Sequence, residues 1–528
     1  MPEFNLIDEL WIPCTNLQGK SKMAGLYEVL LGAHELRSID HDSPLVNIAL
    51  YRLLLAILHR VFGPRDLDAW FELWTRQSWD ENLLSSYFTD RKDRFYMIHD
   101  EHPFYQVPSL DDKAQDNPVT KLALECASGH GATLFDHHCE TEIEAWDLKK
   151  IAPYLVAFQA YAVSGGNSVP FNLSDSSLRK GICVLVTGNT LFQTLCLNLM
   201  EYNQNQPFKN QEHDLPAWEQ DVAREPDHDG TIPLGYLDLL TWQSRRVVLD
   251  LQENNTCKFV KIRQNLVLPK DNSILDPMKA YTKTEKIGFL PVVLDADKAI
   301  WRDSATILRL PGAESRRPEV FNFVARIVDK FKATLDLPAL GMMVNGLGVG
   351  DKAAQVILWR QEILPFHVNY TTDGTLIAAL NDIIQLAERV NRLFHLGSTG
   401  DERHKTPFEI LASDLVPSQG KGKKQAEEAN RNDMNRIVAR LEADRIYWSS
   451  LEVPFLAMMN KLATDYIDEL GNRIYGEKTM LEWKHELERI AREVFSEATK
   501  ALEPSGRSMK AIAHARSELN KQLKGILK

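Results

Sequence analysis

After Tyr370 the chain changes its period, and that change limits what it can fold into more than any motif does. Leu376, Leu380, Ile383, Ala387, Val390 and Phe394 recur at helical spacing on one face. A polar stretch over 397–422 reads as a loop and ends in Gly420-Lys421-Gly422-Lys423-Lys424. A second helix is predicted through Met434, Ile437, Val438, Leu441 and Trp448 toward Pro454, and the apolar stretch 456–470 either extends it or begins another. A third carries Met480, Trp483, Leu487, Ile490 and Val494, and a basic last helix spans 507–527. Four such elements with modest connections are what an antiparallel bundle requires. Upstream, helices alternate with short strands and turn clusters. The expected fold class is therefore α+β: a large mixed domain over 1–370, followed by a C-terminal four-helix bundle over 371–528.

Composition narrows the function classes. Of 528 residues, 44% are hydrophobic and 25% charged, which suits a soluble globular protein. No unbroken apolar run reaches the roughly 18 residues of a membrane span, and residues 1–10 lack a secretory pattern, so a cytoplasmic protein without membrane partners is expected. Six cysteines with no pair at CxxC spacing read as reduced thiols, not a zinc site. The net charge of -12 argues against a surface that coats nucleic acid throughout. Two local patches are basic: 255–286 has seven Lys or Arg against three acids, and 505–528 has six against one. Such patches are either solvated faces or sites where phosphate is bound.

Taken in order, 4–13 is an aromatic and β-branched run ended by Pro13, a predicted edge strand. Asp42-Ser43-Pro44 supplies an N-cap followed by proline in the first turn of a helix whose stripe is Leu45, Ile48, Ala49, Leu53, Ala56, Ile57 and Val61. His99, Asp100 and His102 have a metal-binding look, but Pro103 follows directly and no HExxH spacing on a helix is present. His137-His138-Cys139 is equally thin. A helix over 151–162 delivers the chain to Ser164-Gly165-Gly166-Asn167. Adjacent glycines permit positive φ and close backbone approach to a ligand, although such a pair is more often an ordinary turn. The stretch 207–233 reads as an acidic surface loop, and 242–251 and 258–267 as strands. Pro269-Lys270-Asp271-Asn272-Ser273 is a turn that presents Lys270 at its tip, where a lysine reaches a base edge, a phosphate or only water. A helix is expected over 319–335. The glycine-rich 341–352 lacks both the GxxxxGK[ST] and the GxGxxG pattern, so a hairpin exposing Asp351 and Lys352 is expected in place of a nucleotide cradle.

Together these pieces resemble the CasA family, the large subunit of the type I-E CRISPR Cascade complex. The resemblance is carried by 4–13, 44–58, His99-Asp100-Glu101-His102-Pro103-Phe104, Leu239-Leu240-Thr241-Trp242-Gln243, and 354–366 followed by the bundle. It implies a non-catalytic binding role without cofactor or metal. The implied partners are double-stranded target DNA, CRISPR RNA, the other Cascade subunits and a helicase-nuclease. The family's glycine loop falls on Ser164, Gly165, Gly166 and Asn167, where backbone groups would face the minor groove of the protospacer-adjacent motif. Its lysine finger falls on Lys270, with Lys261 and Lys279 as substitutes. Its wedge falls on Asp351, Lys352 and Ala353, where the family's glutamine is missing and the nearest one is Gln355. Its contact loop for guide RNA and backbone subunit falls on Leu134, Phe135 and Asp136. Two other classes compete: a metal-dependent hydrolase using His99, Asp100 and His102, and a structural scaffold without DNA contact.

Overall fold

The computed structural model describes residues 4–111, 114–126, 144–252, 254–271, 273–295, 298–332, 334–335, 337, 339–349, 357–397, 405–416, 424–464 and 477–528. The chain divides into two compact units, Met1–Thr372 and Asp373–Lys528. The first mixes helices with short antiparallel sheets, and the described residues of the second form helices only.

At the centre of the first unit lies α1 (Pro44–Phe62), with every residue from Leu45 to His59 buried. The single apolar stripe expected there is in fact apolar all round, which is how a helix enclosed by its own domain reads. By length and composition it could cross a bilayer; here other elements of the unit enclose it. Its one buried cation, Arg52, donates to both Asp276 carboxylate oxygens at 2.9 and 3.2 Å and to the Leu239 carbonyl at 2.9 Å. Ser43 occupies the cap position without a side-chain cap bond.

Two pieces of sheet position the site. The strands β1 (Ile182–Thr187), β2 (Arg245–Leu251), β3 (Thr256–Gln264), β4 (Leu340–Val349) and β5 (Ile357–Phe366) supply them. In one sheet, β4 lies between β5 and β1, antiparallel to both. The ten-residue pairing of β4 with β5 is the expected glycine-rich hairpin, and its connection, 350–356, lies outside the described residues. The fully buried Asn345 ties this sheet to its surroundings: its amide donates to the Pro44 carbonyl at 2.7 Å, and its oxygen accepts from the Tyr161 hydroxyl at 3.1 Å. In the other sheet, β2 and β3 form a hairpin whose register sets Arg245 opposite Gln264.

The predicted edge strand over 4–13 is a correction. Only Ile12–Asn16 is extended, while Asn5 makes a single bridge to Tyr96. The Asn5 side chain accepts the Ile7 N–H at 2.9 Å, an alternative to the strand ladder that starts a turn.

In the second unit α3 (Gly374–Asn391) starts at Asp373, whose carboxylate accepts the Thr375 and Leu376 N–H groups. The stretch expected as a loop contains α4 (Pro407–Leu415), capped by the Thr406 hydroxyl, which accepts the Glu409 N–H. The expected second helix is two, α5 (Lys424–Leu441) and α6 (Ala443–Thr464), broken where Glu442 takes φ 46. Pro454 lies inside α6, whose buried Leu451, Phe455, Met458 and Met459 hold it against the cost of the missing N–H. Following these come α7 (Glu477–Lys500) and α8 (Gly506–Ile526), the latter opened by a Ser505/Ser508 capping box. Trp483 of α7 is buried and donates to the Ile383 carbonyl of α3 at 3.1 Å, while Tyr447 of α6 donates to the Ala387 carbonyl at 3.0 Å.

Candidate nucleic-acid interface

The helix α2 (Leu148–Tyr161) is capped by Asp147, and the chain beyond it reaches the surface after Val163. Beyond it, 164–173 forms a narrow loop: the Gly165 N–H donates to the Leu173 carbonyl at 3.1 Å, and the Leu173 N–H returns to the Gly166 carbonyl at 3.3 Å. Ser164, Gly165, Gly166 and Asn167 are all exposed. Both glycines hold positive φ, 111° and 94°, although a Cβ on Gly165 would meet nothing within 4 Å. The demand for glycine at that position is therefore conformational and not steric. The result is a protruding stretch of main chain with no bulk to keep a groove away.

The loop is held from the open end of the β2–β3 hairpin. Arg245 is buried, and its guanidinium donates to the carbonyls of Val163 at 3.0 Å and Ser174 at 2.5 Å, one on each stem of the loop. The same side chain reaches the Ser244 carbonyl at 2.9 Å and Gln264 Oε1 at 3.3 Å. Gln264 accepts the Ser174 N–H at 2.6 Å, and its own N–H donates to the Ser168 hydroxyl at 2.9 Å. Burial pushes the Arg245 guanidinium down to about 10, with only the field of Asp175 opposing. Burial also works to raise the Asp175 carboxyl, but the Ser164 N–H and Lys180 outweigh it and hold the group below the ordinary range.

Lys270 is exposed at the tip of its turn, and its ammonium lies 3.1 and 3.2 Å from the two ring nitrogens of His228. The His228 ring meets Phe171 edge-on, with centroids 5.4 Å apart. Phe171 belongs to the glycine loop, so one imidazole bridges that loop to Lys270. Gly230 lets the His228 segment approach: at φ 111°, a Cβ there would stand 2.5 Å from the Pro269 Cα. The Thr231 N–H donates to the Val267 carbonyl at 2.7 Å, which locks the two turns together.

The substitute lysines do not share this position. Lys279 is buried, donating to the Ser177 and Lys180 carbonyls at 2.6 Å each, and desolvation pushes its ammonium down to about 8. Lys261 stands in mid-strand on β3, opposite Asp116 and Val248. The basic stretch 255–286 is therefore not one charged face, since Arg263 is also buried against Asp111.

His99 uses its Nδ1 to accept the Glu101 and His102 N–H groups at 3.1 and 2.9 Å, closing a local turn. Among the described residues no cluster of three His, Cys, Asp or Glu side chains could hold a metal. Leu134, Phe135 and Asp136, the wedge residues Asp351, Lys352 and Ala353, and the nearby Gln355, lie outside the described residues, as do His137, His138 and Cys139.

Sequence reasoning missed Arg245, His228 and Phe171. Arg245 shares the inward face of its strand with Val247 and Leu249, but an arginine at a strand's first position gives no sign of which acceptors will meet it, and His228 is one polar residue in a polar stretch. Gly230, in the Asp227-His228-Asp229-Gly230 cluster, was the available signal for a tight turn there.

The profile of the family described as CRISPR-associated protein Cse1 matches residues 5–494. A curated CRISPR-associated protein CasA/Cse1 of Thermus thermophilus is 28% identical over 537 residues, covering 99% of this chain and 98% of its own. The crystal structure of Thermobifida fusca Cse1 superposes with a TM-score of 0.77 at 23% identity, covering 100% of this chain and 98% of that one. A chain of a solved CRISPR RNA-guided surveillance complex gives a TM-score of 0.70 at 19% identity, covering 98% of this chain and 100% of that one. The structural likenesses speak to the fold, and the match along nearly the whole sequence speaks to descent: the chain belongs to the CRISPR-associated Cse1 family.

Proposed function

We propose that the chain is the large, non-catalytic subunit of a cytoplasmic CRISPR RNA-guided surveillance complex, where it reads the protospacer-adjacent motif on duplex DNA. Ser164, Gly165, Gly166 and Asn167 offer bare main chain to the minor groove, and Lys270 reaches the same groove from the side. The observation that carries this reading is the single imidazole, His228, standing between Phe171 of the loop and the Lys270 ammonium. Because pairing with guide RNA reads the long target, the protein itself need read only a short motif and the groove's shape. The minor groove supplies mainly an A·T against G·C distinction, which suits tolerance of several motifs.

In the same reading, Asp351, Lys352 and Ala353 enter the duplex as a wedge from the connection of the β4–β5 hairpin. Leu134, Phe135 and Asp136 meet guide RNA and a neighbouring subunit. After the strands separate, the subunit recruits the helicase-nuclease that degrades the target. The boundary between the DNA-reading part, 1–370, and the bundle, 371–528, is proposed as a functional one as well.

The test is target binding by the assembled complex, with Gly165→Val, Gly166→Val and Lys270→Ala combined. Loss of binding to a duplex carrying the motif, with assembly intact, supports the reading, and unchanged binding removes it. DNA crosslinks to this chain within the complex separate it from a scaffold without DNA contact.

A further inference from the structure

The segment 163–180 rests on two buried cations that form no ion pair among the described residues. Arg245 gives its guanidinium hydrogens to neutral acceptors only, among them the Val163 and Ser174 carbonyls. Lys279, from a different part of the fold, gives its ammonium hydrogens to the Ser177 and Lys180 carbonyls. Among the described residues neither cation is paired with a carboxylate. Asp276, near Lys279, is committed to Arg52 at 2.9 Å, and Asp175, near Arg245, is committed to Lys180 at 3.1 Å and to the Ser164 N–H at 2.8 Å.

A buried charge without a counter-ion is costly, and an apolar side chain of the same shape is generally easier to accommodate. Tying carbonyls together does not by itself require the charge, since neutral amide donors do that elsewhere in this unit: Asn198 serves the Val186 and Thr194 carbonyls at 2.6 and 2.7 Å. What a charge adds is a field. Beneath a thin loop, in low-dielectric surroundings, salt hardly screens it, and the exposed glycines above have no side chains to hold a polyanion away.

We propose that Arg245 and Lys279 are positioning residues that also charge the 163–180 segment from beneath, making it a seat for the phosphodiester backbone of duplex DNA without touching it. The proposal rests on the reading of 164–167 as a DNA contact. It adds two residues on different elements, and it separates their role from that of Lys270, which reaches the ligand directly. Burial that pushes Lys279 down to about 8 also gives it a titration within reach of ordinary buffers; the charged and titratable groups around it are Asp276, Cys183, Arg52 and Lys180.

The experiment compares assembled complexes carrying Arg245→Lys and Arg245→Gln at equal ionic strength. Hydrogen exchange over 163–180 reads the loop's support, and binding of a motif-bearing duplex reads the field. The expected result is similar exchange in both variants and about fivefold tighter binding by the lysine variant, a difference that persists as salt rises because the charge is buried. Equal binding by both variants overturns the proposal. Unmodified complex supplies a measurement that does not depend on how either variant folds: affinity falls about threefold between pH 7 and pH 8.8, and Lys279→Met removes the step. A flat profile in the unmodified complex also overturns the proposal. The Gly165, Gly166 and Lys270 combination judges the DNA-contact reading separately, because it leaves both buried cations in place.

Discussion

Two basic stretches that look alike in sequence differ in what their charges do. In the 505–528 stretch, Lys510, Lys521, Lys524 and Lys528 are exposed on or beside α8, and Arg507 closes the end of α4 by donating to the Asp414 and Val416 carbonyls at 2.8 Å each. In the 255–286 stretch, Lys279 and Arg263 are buried, and Lys270 alone stands on a turn against the glycine loop. The first is a solvated face with one structural arginine. The second buries two of its seven cations in the fold, leaves Lys258 and Lys261 half-buried, and exposes Lys270, Lys283 and Lys286. A count of lysines therefore measures neither surface charge nor potential at a site, because burial decides how strongly each charge is screened.

The largest test of this contrast concerns a buried cation that does have its counter-ion. Arg52→Ala leaves Asp276 charged and unpaired in the core and is expected to cost about 3–5 kcal/mol, read by urea denaturation of the free subunit. A cost below about 1 kcal/mol would place that pair with the surface bridges. The next test is acid. Burial holds His59 down to about 3, between the Tyr202 and Tyr236 rings, whereas an unfolded histidine takes up its proton near 6.5. Since the unfolded state then binds the extra proton, this contribution is complete above pH 6.5 and is lost toward pH 3, at about 1.4 kcal/mol per pH unit. His59→Phe is expected to flatten the stability profile in that window, and an unchanged slope would show that other groups set it.

Gly230→Ala is expected to cost about 1–3 kcal/mol, because φ 111° is strained for alanine and its Cβ would press on the Pro269 backbone. It should also move Lys270 away from His228, seen as a change in the chemical shifts of the imidazole ring by NMR. Smallest is the effect of Lys510→Ser with Lys524→Ser on α8. Stability should change by less than about 0.5 kcal/mol, and binding of the assembled complex to non-specific duplex by about threefold at most. A large loss would show that the solvated face is itself a DNA contact.

What the sequence made legible follows from where the information is local. The glycine pair and the Lys270 turn announce themselves by residue type, since positive φ and proline-led turns are properties of a few adjacent residues. The α3 stripe was legible for the same reason, its core positions being three and four residues apart. Arg245 was not, because a strand's alternation puts it on the inward face with Val247 and Leu249 but does not say that a loop from about eighty residues earlier supplies the acceptors for its charge. Lys279 was misread as a substitute finger because its burial depends on where 177–180 passes. The α4 helix had a readable start in Thr406-Pro407, a hydroxyl cap followed by proline in the first turn, but it was lost in the polar residues around it. The break at Glu442 has no local signal, as glutamate is an ordinary helix former.

The central claim is that the glycine loop and Lys270 act on one duplex as a unit, and a double-mutant cycle tests it most directly. Motif-bearing target binding by the assembled complex would be measured for Gly165→Val, Lys270→Ala and the pair. The account predicts that the two losses fall short of additivity by at least about 1 kcal/mol, because removing either partner already disables the shared contact. Losses that add to within about 0.3 kcal/mol, or no loss from either change, would contradict it.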